Sequence, residues 1–143
     1  MSMSIKLEGL QELQNAIREA TQETQAKIEM VVEATASDIR NATVRRIQRG
    51  PASGEIYKSK GSKEKLHQAS APGEAPATDI GTLAGSYSVI DGDTPLTKYV
   101  STDLDYAYFL EFGTINMAPR PHLLPSVEES RRNFEQRLKR VLE

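Results

Sequence analysis

From Leu10 to about Gln48 the chain carries neither Pro nor Gly, and Leu10, Leu13, Ile17, Ala20, Ile28, Val31, Val32, Ile39 and Ile47 recur at steps near three and four. That spacing lines one face of an amphipathic helix, which Gly50-Pro51 ends. At 1.5 Å per residue such a helix runs roughly 57 Å, whereas a compact domain of this length is only about 37 Å across. It must bend or overhang. A bend is expected between Thr21 and Gln25, where Thr and Gln replace apolar residues, and an overhanging half needs a neighbouring copy to cover Val31, Val32 and Ile39.

The flanking segments complete an α+β pattern. Ser4 to Leu7 alternates in the manner of a short strand, with Ile5 and Leu7 on one side. Asp79 or Thr82 is placed to cap one helical turn through Leu83. Ser86 to Ile90 and Leu96 to Ser101 read as a β-hairpin joined around Asp91-Gly92-Asp93, its second strand starting at Pro95 or lying at an edge because Pro has no ladder donor. Tyr106 to Phe112 has helical spacing and ends at Gly113 in the left-handed region, and Pro119, Pro121 and Pro125 forbid regular structure until Ser126. A second amphipathic helix follows, with Val127, Phe134, Leu138, Val141 and Leu142 inward, Glu128 and Glu129 near its start, and Lys139 and Arg140 near its end.

Between the first helix and the hairpin, about residues 49–79, the chain is rich in Gly, Pro and Lys58, Lys60, Lys63 and Lys65, and Ile56, Tyr57 and Leu66 are its only larger apolar residues. So little oil cannot offset the entropy of ordering, so the segment reads as a flexible arm that settles on a partner. The predicted molecule is a single domain over 1–143: a long N-terminal helix on a small antiparallel sheet, a C-terminal helix, and this arm.

Composition narrows function by exclusion. With 143 residues, 6% aromatics and no Trp, the core is modest, and symmetric partners would help a chain that buries only about two-thirds of its unfolded surface alone. Without Cys there are no disulfides, thiolate ligands or Cys nucleophile. No apolar run approaches the roughly 20 residues that span a bilayer, and MSMSIKLEG has no signal-peptide stretch, so a cytoplasmic origin is expected. A net charge of -2 is unlike the strongly basic face of a dedicated nucleic-acid binder. Arg45, Arg46 and Arg49 with the arm lysines still form a cationic stretch, leaving a nucleic-acid-binding module as the alternative reading.

Catalytic patterns are not met. His67 and His122 are the only histidines and have no ligand-spaced partner, so they read as solvated or packed imidazoles. Ser70 or Ser86 could be grouped with a histidine and Asp79, yet no strand-turn-helix elbow frames either serine. No glycine run opens a helix as a phosphate loop does. Glu111, set among Tyr106, Tyr108, Phe109 and Phe112, reads as a structural carboxylate that needs a donor such as Arg120 or the amides after Gly113. No cofactor or metal is implied.

Two blocks point elsewhere. The run HQASAPGEAPATDIGTLAGS (His67 to Ser86), then a hairpin, then YAYFLEFGT (Tyr106 to Thr114) and RPHLLPSVEE (Arg120 to Glu129), is similar to the gene-product-ten-like tail component family of long-tailed double-stranded-DNA phages and prophages. Its members are head-tail joining, neck or tail-completion proteins. The likeness runs in order from about Ile5 to the C-terminus, with one departure at His122, where the family commonly has an aromatic.

The resemblance implies a non-enzymatic α+β subunit, monomeric when isolated. It closes into a ring, often six-fold, between the tail tube or tail terminator and the head connector or stopper, and DNA passes through without specific binding. It also implies a place in the virion, with assembly in the host cytoplasm and no membrane. Carried over by position, Ala71, Pro72, Gly73, Glu74 and Pro76 form an arm that docks on neighbouring rings, and Asp79, Gly81 and Leu83 anchor its return. Tyr106, Glu111, Phe112, Gly113 and Thr114 shape the turn into Arg120 and Pro121.

Overall fold

The computed structural model describes residues 2–6, 22–62 and 64–143. Among them the chain runs β1 (Met3–Lys6), α1 (Gln22–Arg49), β2 (Ile56–Lys58), β3 (Leu66–Gln68), α2 (Thr82–Ser86), β4 (Ser88–Asp91), β5 (Lys98–Thr102), α3 (Asp105–Phe112) and α4 (Leu124–Leu142). This is the α+β arrangement that the periodicities predict. Leu7, Leu10, Leu13, Ile17, Ala20 and Thr21 lie outside the described residues, while Gln22 to Gln25, the rest of the stretch where a break is predicted, are helical.

β5 lies between β1 and β4 and is antiparallel to both. Ile5 and Val89 flank Val100 across the ladder and Met3 sits opposite Thr102, which makes one face of the sheet apolar. Those residues join Ala36, Ile39 and Ile47 of α1, Tyr87, Ala107 and Leu123 in the main core. α4 returns antiparallel along α1: Arg46 reaches Glu129 at 2.7 Å, Arg137 donates to Asp38 at 2.6 Å, and Ile28 and Val32 meet Phe134, Leu138 and Val141.

This pairing corrects the expectation that a neighbouring copy must cover Val31, Val32 and Ile39. All three are buried within the chain, α4 covering Val32 and the main core taking Ile39, on a described helix of 28 residues and about 42 Å. Thr35 and Thr43 also sit on the buried face, their hydroxyls donating to the carbonyls of Val31 and Ile39 at 2.8 Å, so the helix satisfies its own polar side chains. Gly50 ends α1, its amide bonding Arg46 O at 2.9 Å in a spot where a Cβ would stand 2.3 Å from that oxygen.

Several boundaries differ from the sequence reading for local reasons. Pro95 precedes β5, which is the central strand, so the edge alternative fails, and neighbouring Leu96 is buried against Ile28 and Val32. α4 begins at Leu124, ahead of Ser126, with Pro125 in its first turn, where the missing N–H costs nothing. Leu142 is about half exposed rather than inward. Gly81, at φ 83°, precedes α2 without a side-chain cap, so neither Asp79 nor Thr82 caps it.

Candidate functional site

The segment between α1 and α2 is the predicted arm, and it carries structure that its composition does not foretell. β2 and β3 pair antiparallel, with Tyr57 opposite His67. The hairpin they form is held to the body by polar ties rather than by oil. The Glu74 carboxylate accepts from the amide of Ser53 at 3.0 Å, its hydroxyl at 2.6 Å and the amide of Ala71 at 2.8 Å. Asp79 accepts from the amide of Lys60 at 2.7 Å and from the Ser59 hydroxyl. The Ser53 hydroxyl and then the Ala71 amide hold Glu74 below the usual carboxylate range, and the Ser59 hydroxyl and Lys60 amide do the same for Asp79.

Three further ties come from outside the arm. The amide of Thr78 donates to Ile47 O at 3.2 Å and that of Gly73, at φ 84°, to Pro119 O at 3.0 Å. Arg120 Nη1 donates to both the carbonyl and the hydroxyl of buried Ser70. Hydrogen bonds thus supply what apolar content does not. Pro76 is tucked in, whereas Ile56 (63%), Tyr57 (45%), Leu66 (66%) and Ile80 (60%) remain exposed.

Below the arm lies a cleft of about 550 Å³ between β3, the stretch 76–83 and α3, walled by Tyr57, His67, Asp79, Ile80, Leu83, Tyr106, Leu110, Met117 and Arg120. It brings Pro76, Asp79, Gly81, Leu83, Tyr106 and Arg120 together from the predicted set. Ala71, Pro72, Gly73 and Glu74 do not line it. They form the turn above, where Glu74 acts as an internal clasp. Phe112 faces a separate hollow with Tyr108 and Leu124, and Thr114 closes a tight turn with Met117 at 2.8 Å. Pro121 is half-buried.

Glu111 is almost fully buried, as a structural carboxylate, and of the predicted donors it takes backbone amides downstream of Gly113 rather than Arg120. It accepts from the amides of His122 (2.8 Å), Leu123 (3.0 Å) and Leu124 (2.8 Å), and so caps α4 from a distant helix, while Arg120 turns to Ser70. Burial pushes its carboxyl upward, yet the His122 side chain and the three amides outweigh this and hold it at about 2.

His122 Nδ1 lies 3.0 Å from both Glu111 Oε2 and Arg120 O, two acceptors, so that nitrogen carries the proton. Nε2 then accepts from the Tyr87 hydroxyl at 2.8 Å. Burial, and then the Glu111 charge, push the Tyr87 phenol well above its ordinary value. The sequence gives no sign that Tyr87 and His122 meet, because no spacing rule links positions on α2's exit and α4's entry.

Gly113 stops α3 at φ 77° and ψ 178°, on the positive-φ side that favours glycine though outside the left-handed helical well, and a Cβ there would stand 2.7 Å from Met117 O. The preceding helix shows solvent an aromatic strip, in which Tyr108 packs on Phe109 and Phe112 with ring centroids 5.9 and 4.9 Å apart. On α1, Arg45 and Arg46 turn to Glu129 at 3.7 and 2.7 Å, and Arg49 is exposed.

No protein-family model, curated protein or solved structure matches this chain. Among the described residues no helix is long and apolar enough to cross a membrane.

Proposed function

We propose that this chain is a structural phage-morphogenesis subunit that forms a ring at the head-tail junction, completes the tail end and docks it to the head connector. The observation that carries this reading is the construction of the arm. It is fixed to the body by hydrogen bonds while Ile56, Tyr57, Leu66 and Ile80 stay exposed, Tyr57 and Ile80 on the wall of a cleft that also shows Tyr106 to solvent. Surfaces of that kind suit docking, since apolar side chains left in water gain when a partner covers them.

The two sequence blocks support the same reading. APGEAP supplies the clasped turn of the arm, and YAYFLEFGT with RPH supplies the aromatic strip, the Glu111 cap and the Arg120 tie. In this proposal the subunit resides in the virion neck after assembly in the host cytoplasm, and DNA passes the ring without specific binding. Arg45 and Arg46, engaged by Glu129, favour this reading over a nucleic-acid-binding module.

The test is to add the purified chain to tails made without it and to assay joining to filled heads. Rings at the tail end by electron microscopy and restored joining support the proposal. Folded protein that never binds tails or connectors refutes it. A DNA titration separates the alternative: tight binding at about 150 mM salt with a steep salt slope would favour the nucleic-acid module.

A further inference from the structure

We infer that the β2-β3 hairpin of one copy seats in the groove between α1 and the β4-β5 turn of a second copy, giving a head-to-tail contact. This rests on the ring reading above and names the surfaces that would build it. The hairpin is a pair of three-residue strands, too short to be stable uncovered in water, and it turns Ile56 and Leu66 outward while Tyr57, on its other face, is half exposed at the arm cleft. From Ile56 to Gln68 it carries Lys58, Lys60, Lys63 and Lys65 against a single acid, Glu64.

The groove has the opposite character. It spans about 830 Å³ and, among the described residues, is lined by Glu29, Glu33, Asp91 and Asp93, with Lys98 as the one cation and Met30 as an exposed apolar patch on its wall. Lys98 is already committed, bonding Glu33 at 2.6 Å and Asp91 as well, which leaves the carboxylates in excess. A lysine-rimmed apolar tongue and an acid-rimmed apolar groove are complementary in charge and in surface chemistry.

The two cannot meet within one molecule. Ile47, on the wall of the arm cleft, and Met30, on the wall of the groove, both lie on α1 and are about 26 Å apart along its axis. The contact therefore joins different patches on different copies. A contact of that type is heterologous, and repeated it builds a ring where its rotation closes, or an open chain where it does not, rather than stopping at dimers.

The chain has no cysteine, so introduced thiols are the sole ones. Single variants Lys58→Cys and Asp93→Cys of the full chain, mixed at about 20 mM salt where screening is weak, should form a disulfide-linked heterodimer under mild oxidation. Neither should cross-link alone, and the double variant should give a ladder of closed and open oligomers. Adding Lys65→Glu to the first chain should cut the yield at least about tenfold, and Glu29→Lys in the second should restore it.

A mixed pair that cross-links no better than Lys58→Cys with a control Asp103→Cys overturns the contact, as does a single variant that dimerises with itself. Failure here with successful tail joining removes this interface and leaves the ring reading standing. The cross-link without tail joining does the reverse.

Discussion

Replacing Glu111 with Gln keeps the shape of the side chain and removes the charge that three backbone amides and His122 surround. The carboxyl is held at about 2 against an ordinary 4.5. A separation of about 2.5 units at about 1.4 kcal/mol per unit gives roughly 3 kcal/mol of stability at neutral pH. The side chain is 1% exposed, so solvent screens little of this. Because the folded value is depressed, the contribution is complete above the unfolded value of 4.5 and is lost as pH falls through about 2.

Urea unfolding of both proteins from pH 7 to pH 2.5 measures it. At pH 7 the variant should lose about 3 kcal/mol, which at a slope of about 1–3 kcal/mol/M lowers its midpoint by roughly 1–3 M. The gap should narrow steadily below pH 4.5. A variant within about 0.5 kcal/mol of the parent at pH 7, or a gap that stays constant down to pH 2.5, would refute Glu111 as the ionised cap of α4.

Gly113→Ala puts a Cβ 2.7 Å from Met117 O at a positive φ, and we expect a loss of about 1–3 kcal/mol in the same assay. Tyr87→Phe leaves buried His122 Nε2 without its hydroxyl donor and should cost about 1–3 kcal/mol by thermal or urea unfolding. Arg120→Ala frees Ser70, so limited proteolysis should cut within 50–79 several times faster while far-UV circular dichroism stays unchanged. Glu74 and Asp79 are both held below their ordinary range, so their clasps persist above the ordinary carboxylate range and fail in acid. Amide exchange at Lys60 and Ala71, corrected for intrinsic rate, should therefore accelerate as pH falls below about 4.

The sequence displays the elements whose periodicity is long or sharply punctuated. The α1 stripe from Ile28 to Ile47, the β4-β5 hairpin and the α4 stripe all follow from apolar spacing and from Gly and Pro positions. It misleads where coverage decides the outcome. Val32 looks unpartnered in one dimension, yet α4 buries it from ninety or more positions downstream. The arm looks structureless because apolar content is the usual signal of order, whereas Glu74, Asp79 and Arg120 order it through hydrogen bonds that leave no period in the sequence. Glu111 is visible as a carboxylate among aromatics, but its donors depend on where α4 begins, and Pro125 disguises that start.

If the arm is an outer element clasped by polar groups until a partner covers its apolar side chains, its amides must respond to assembly. Hydrogen exchange on the isolated chain and on the same chain bound to tails tests this. In isolation, amides from Ile56 to Leu66 should exchange at least about 100-fold faster than those of Val32 to Ala42 in α1, and binding should slow them toward the α1 rates. Arm amides as slow as those of α1 in the free chain, or unchanged on the particle, would contradict an arm built for docking.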